Sequence, residues 1–162
     1  MFYSISNCQS GLAGISFGNS LIKQVAGDLS ASMPQIKNFV TLSPIPGLMR
    51  WLNEAGHAEK ARDPEALRTL AAYYLLEVKR DGGLPRDAVA RFHLNNGASV
   101  HDVHSGADLS NHGMAQSGGA MVNYLYDLDR ISENHEAFST RKKVTASVSL
   151  HGLARKALTA SA

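Results

Sequence analysis

Cysteine is almost missing from this chain: Cys8 stands alone among 162 residues, which excludes an intrachain disulfide and a metal cage built on thiolates. Long hydrophobic runs are absent as well. No apolar stretch could span a bilayer, and no basic segment leads into a short apolar one at the start, so no membrane partner is expected. An excess of one charge is the third thing lacking. Sixteen Lys and Arg oppose fourteen Asp and Glu, a net +2. The basic residues are scattered rather than gathered into a stripe with aromatics between them, which argues against nucleic acid. A slight positive excess also suits a phosphate-bearing small molecule. What remains is a chain of ordinary globular composition, 44% apolar and 19% charged, long enough for one domain that covers about two-thirds of its unfolded surface. It is read as soluble and cytoplasmic.

Phe2-Tyr3-Ser4-Ile5-Ser6 alternates with period two and reads as a strand. It follows directly on Met1, so its sheet neighbours must come from later in the chain or from another molecule, and the chain is expected to be incomplete. Between Gln9 and Asn19 lie Gly11, Gly14 and Gly18, a spacing that calls for tight turns or close approach of a ligand to the backbone. Leu21, Ile22, Val25 and Leu29 then recur at helical spacing until Pro34. A second strand is expected over Ile36 to Leu42. Strand, glycine loop, helix and strand in that order point to a parallel crossover unit.

Helices are expected around Leu48 to Leu52 and from Pro64 to Lys79, the latter with Asp63 as N-cap and Pro64 at its first position, stopped by Asp81-Gly82-Gly83. A short helix from about Asp87 to Asn96 should end at a left-handed Gly97. Val100 to His104 and Met121 to Tyr126 are expected strands, with a polar Gly- and Ser-rich loop between them. A last helix is expected from about Val144 to Leu158.

Three places could carry chemistry. A glycine-rich turn feeding a helix N-terminus offers free backbone N–H groups and the positive end of the helix dipole, both suited to phosphate. The same pattern also serves as a plain connection: no Gly-Lys-Ser/Thr follows, and Gly11-Leu12-Ala13-Gly14 lacks the spacing of a dinucleotide fingerprint. Ser43 stands before Pro44 and Pro46, which hold it extended; counting by two places Phe39, Thr41 and Ser43 on one face. It either starts a turn or presents a fixed hydroxyl at the carboxyl end of a strand. His93 shares a helix face with Val89 and Phe92 and points inward, as a hydrogen-bonded core residue or as an acid–base group. His101, His104, Asp108 and His112 lie close in sequence, but on a straight strand His101 and His104 face opposite ways, and no metal site is assigned.

Taken together, Phe2-Tyr3-Ser4-Ile5-Ser6-Asn7, Gly11-Leu12-Ala13-Gly14 with Gly18, Leu21-Ile22-Lys23, Leu42-Ser43-Pro44-Ile45-Pro46-Gly47, Val89-Ala90-Arg91-Phe92-His93-Leu94 with Asn96-Gly97-Ala98, and Met121-Val122-Asn123-Tyr124-Leu125-Tyr126 resemble, in this order, the catalytic domain of the malonyl-CoA decarboxylase family. The likeness runs from residue 2 to about 138. It implies an α/β (α+β) chain with part of a GNAT-like acyl-CoA-binding fold, a mixed sheet with flanking helices, forming a single partial catalytic domain over 1–162. It implies that Ala13, Gly14, Ile15, Ser16, Phe17, Gly18 and Asn19 cradle coenzyme A. Ser43 and His93 would be the catalytic pair, with His93 as proton donor and Ser43 as partner hydroxyl, and Tyr126 would line the site. Malonyl-CoA would be substrate and acetyl-CoA product, with no cofactor.

The chain departs from the family pattern in several places. The N-terminal helical domain and the first catalytic strands are missing ahead of Phe2, and the stretch between Arg50 and Pro85 is shorter. Ser16 stands where members often carry an acidic residue, and His104-Ser105 replaces an Asn-Trp pair. The end, Thr159-Ala160-Ser161-Ala162, has no peroxisomal Ser-Lys-Leu tail. The resemblance therefore also implies a truncated chain that acts as a homo-oligomer or with a complementing chain. Two alternatives stand beside a decarboxylase: a CoA-thioester-binding remnant or subunit without that activity, and another acyl-CoA transferase of the same fold.

Overall fold

The computed structural model describes residues 17–36 and 38–159. The expected strand over residues 2–6 and most of the glycine loop lie outside them, and so does the crossover that depended on that strand. Helix α1, Phe17–Ser32, carries Ile22 and Ala26 into the core and ends before Pro34, as the apolar spacing predicts. Strand β1 is Phe39–Pro44, starting later than expected and running through Ser43 to Pro44. Its burial alternates, with Phe39, Thr41 and Ser43 on the inner face. Helix α2, Leu48–Glu54, follows a bend at Gly47, where a Cβ would stand 2.3 Å from the Tyr74 hydroxyl.

After a 3-10 turn at Ala58–Arg62, helix α3, Pro64–Leu76, opens on the expected cap: the Asp63 carboxylate accepts from the N–H groups of Glu65 and Ala66, and Pro64 follows. It stops three residues short of Lys79 because the chain turns into a tight hairpin. Lys79 and Pro85 form an antiparallel bridge around Gly82 and Gly83, both at positive φ, and Arg80 N–H donates to Leu84 O. Helix α4, Ala88–Asn95, is capped by Asp87 and ends at Gly97, whose φ is +80°.

Strand β2 is Ser99–His104 and strand β3 Met121–Tyr126. The sheet order is β1-β3-β2, antiparallel at both pairings, with Thr41 opposite Tyr124 and Ser43 opposite Val122. The described strands thus form an antiparallel sheet flanked by helices; a single isolated bridge, Val100 to Ala146, is parallel. A register shift between Val100 and Asp102 makes His101 the extra residue of a β-bulge. The bulge puts Val100 and Val103 both in the core and leaves His101 and His104 both exposed, so the strict alternation expected for this strand fails.

The stretch expected to be loop holds helix α5, Asn111–Ser117, closed by a Ser110 hydroxyl that accepts from Gly113 N–H and by a left-handed Gly118. It has no apolar stripe to announce it, since it buries only Gly113 and Ser117. Helix α6, Ile131–Arg141, buries Ile131, Asn134, Ala137 and Phe138, a helical spacing without a glycine stop, because Lys142 takes the left-handed position. Helix α7 is Val148–Thr159 rather than 144–158. Ser147 delays it. Its hydroxyl caps Leu150 N–H and donates to His101 O, while Thr145 O and Ser147 N–H bond to Val100. Leu150, Leu153, Ala154 and Ala157 of α7 pack against α3. Among the described residues no helix is long and apolar enough to cross a membrane.

Candidate active site

The inner face of the sheet and the first buried face of α4 meet at one polar cluster. Strand β1 delivers Ser43 and Thr41, β3 delivers Tyr124 and Tyr126, and α4 lays His93 across them. The Ser43 hydroxyl lies 3.1 Å from His93 Nε2, and the Tyr126 hydroxyl lies 2.7 Å from His93 Nδ1. Ser43 also reaches the Thr41 hydroxyl at 3.3 Å. The imidazole stacks on the Tyr124 ring with centroids 4.2 Å apart and planes 16° from parallel, and Phe92 closes its edge. Pairs 50 and 33 residues apart in sequence are thereby brought into hydrogen-bond contact.

Burial sets the protonation of this group. Ser43 is 6% exposed, His93 3% and Tyr126 0%, and removal from water pushes the His93 imidazolium down to about 4 and the Tyr126 phenol far up. At neutral pH the ring is neutral and holds one N–H and one lone pair, so it donates to one of its two partners and accepts from the other. Tyr126 O–H donating to Nδ1 leaves Nε2–H facing Ser43, whose own O–H then donates to Thr41. This direction gives both ring nitrogens and the Ser43 and Tyr126 hydroxyls a partner.

The same shift has a consequence for stability. An imidazole that titrates near 6.5 when unfolded and about 4 when folded binds fewer protons in the native state between those values. Its contribution is complete above about pH 6.5 and is lost as pH falls toward 4, a loss on the order of 3 kcal/mol. Asp87, raised by burial, takes up its proton more readily when folded and returns part of that loss at the acid end. Urea denaturation at pH 7 and pH 4.5 should therefore show a drop for the wild type that is much smaller in His93→Gln; parallel losses in the two proteins would contradict the assignment.

Ser43, His93 and Tyr126, singled out from sequence, come together. Ala13, Gly14, Ile15 and Ser16 lie outside the described residues, and Phe17, Gly18 and Asn19 lie in α1. Thr41 and Tyr124 were not expected in the site, although each stands two residues from a residue that was. His104 has found a partner in Asn123, whose Nδ2 donates to Thr41 O at 2.8 Å, so a side-chain chain crosses the sheet to the strand that holds Ser43. His101, His104, Asp108 and His112 do not converge, and among the described residues no group of three or more His, Cys, Asp or Glu is placed to hold a metal ion.

The sequence model of the malonyl-CoA decarboxylase C-terminal domain matches residues 1–66 and 57–162. Mitochondrial malonyl-CoA decarboxylase of the goose Anser anser anser is 33% identical over 192 aligned positions, covering 91% of this chain and 38% of that protein; the mouse protein is 32% identical, with 91% and 39% covered. Because the alignments are longer than the chain, these relatives carry residues that it lacks within the matched region, and the two stretches of family match overlap at 57–66, which holds the 3-10 turn and the start of α3. Among solved structures, malonyl-CoA decarboxylase from Agrobacterium vitis superposes with a TM-score of 0.86 at 42% identity, covering 94% of this chain and 44% of that one. The enzyme from Rhodopseudomonas palustris gives 0.84 at 41% identity, with 94% and 41% covered. The chain spans about two-fifths of the length of the relatives it matches, and with a model match along its length and a buried Ser43–His93–Tyr126 cluster in the matched region, it belongs to the malonyl-CoA decarboxylase family.

Proposed function

We propose that this chain decarboxylates malonyl-CoA to acetyl-CoA and CO2, with His93 as proton donor and Ser43 as partner hydroxyl. The observation that carries the reading is the 3.1 Å contact between Ser43 and His93, backed by Tyr126, in a member of this family. Burial by itself keeps the imidazole neutral. A malonyl carboxylate brought beside it supplies the missing negative charge and favours the imidazolium, so the ring takes up a proton as substrate binds.

Cleavage of the bond between the α-carbon and the carboxylate releases CO2 and leaves its electron pair on the thioester as an enolate. The thioester carbonyl is the electron sink, so this step draws on no cofactor. His93 then gives its Nε2 proton to the α-carbon, and the proton taken up on binding balances the reaction. The Ser43 hydroxyl, set beside Nε2, turns its O–H from Thr41 to orient the carboxylate and then donates to the growing negative charge. Backbone N–H groups of the segment from Ala13 to Asn19 hold the pyrophosphate of coenzyme A in this reading.

The test is acetyl-CoA formation from malonyl-CoA by the purified chain, read together with its melting curve. Turnover is expected, and Ser43→Ala should lower kcat by about 100-fold, within the range for one lost acid–base or oxyanion donor. Thermal stabilisation by malonyl-CoA without acetyl-CoA would reduce the function to thioester binding. Neither response would refute both.

A further inference from the structure

We propose that Asp87 is a positioning residue whose buried carboxylate, capping the first turn of α4 and lying beside the Gly47 amide, sets the separation of Ser43 and His93. The proposal rests on the reading of Ser43 and His93 as the reacting pair. Asp87 is 1% exposed, and one oxygen accepts from Ala90 N–H at 2.8 Å as the cap of α4. The amides of Val89 and Gly47 also favour its charge, while its second oxygen, Oδ2, has no hydrogen-bond partner. Gly47 lies four residues after Ser43, and Asp87 six before His93. The carboxylate therefore stands between the two backbones that carry the pair.

A helix cap does not need this burial. Asp63 caps α3 in the same way from the exposed surface, accepting from two N–H groups at 3.3 Å each. Sinking Asp87 into the interior costs solvation that a cap alone does not recover. Its surroundings are the walls of the site: the Tyr74 hydroxyl crowds Gly47, the Asp87 charge adds to the burial that raises Tyr74 to about 12, and it also acts on Tyr124, the ring on which His93 stacks. The Tyr124 hydroxyl is likewise buried without a partner. Arg91 is fastened to Pro85 O and Arg86 O and places its own charge near the carboxylate.

Asp87→Asn and Asp87→Ser separate spacing from capping, because Asn and Ser are N-caps as good as Asp. Both variants should melt cooperatively, with kcat for malonyl-CoA lowered about 10- to 100-fold and KM within about threefold, the signature of misplaced reacting groups. The imidazole 15N shifts of His93 should move in both from the pattern of a single neutral tautomer toward a mixture. A kcat within about twofold of wild type together with unchanged 15N shifts would overturn the proposal. Loss of cooperative melting in both variants would overturn it too, since the carboxylate would then serve the fold rather than the spacing. If the wild type itself shows no turnover, the decarboxylase reading fails and the 15N shifts alone decide on Asp87.

Discussion

His93→Ala should lower kcat for malonyl-CoA by about 1,000-fold while coenzyme A still binds within about threefold of wild type, a size typical of removing the group that transfers the proton. The imidazole is the one ring in the cluster that a bound carboxylate can bring to carry a proton, since burial raises both Tyr124 and Tyr126 still further from neutral pH. Truncation also leaves a void against the Tyr124 ring and strips Tyr126 of its partner, at a cost of about 2–4 kcal/mol in stability. His93→Gln keeps a polar side chain in the same space and so distinguishes lost chemistry from lost fold. It should melt closer to wild type and be as inactive as the alanine variant. Unchanged turnover in a folded His93→Gln protein would remove His93 from the mechanism.

Gly97→Ala should destabilise the chain by at least about 3 kcal/mol, combining left-handed backbone strain with a collision that packing cannot relieve. Gly97 has φ +80°, and a Cβ there would stand 2.3 Å from the carbonyl oxygen of Ile131 and 3.0 Å from its carbonyl carbon. That partner is backbone at the start of α6. It cannot rotate away. The same glycine accepts from the Asn134 side chain through its own carbonyl, so α6 is held to the end of α4 from both sides. Gly56→Ala is the natural comparison, with φ +72° and nothing within 4 Å of the added carbon; it should lose only about 1 kcal/mol. By thermal melting the two should differ by several degrees, and equal losses would mean that the collision is absent. Because Gly97 closes the helix that carries His93, activity should fall with stability.

Much of the local structure was legible. Asp63-Pro64 and Asp87 mark helix starts, Gly97 marks an end, and period two over Phe39, Thr41 and Ser43 gives the buried face of β1 correctly. These signals act within a turn or two of chain, where the hydrogen bonds they describe are made. Helix α6 shows the same kind of stripe but no local stop signal, because Lys142 occupies the left-handed end where a glycine would mark the boundary. Helix α5 had no stripe to read. Residues 144–147 look helical by their apolar spacing, yet Ser147 and the edge of β2 at the His101 bulge claim their backbone groups first.

The site divides along the same line. Ser43 and His93 stood out because proline and helix spacing restrict their own backbones, and the ordered blocks of sequence around them are enough to place the chain in its family. Nothing local says that the Ser43 hydroxyl meets Nε2 rather than Nδ1, that Tyr126 takes the other nitrogen, or that Asp87 reaches toward Gly47. Those contacts follow from the β1-β3-β2 order and its register, which lay Tyr124 opposite Thr41 and carry α4 across both. The depressed imidazole has the same origin: water is excluded by residues far apart in sequence, and desolvation is a property of the packed core rather than of any segment in it.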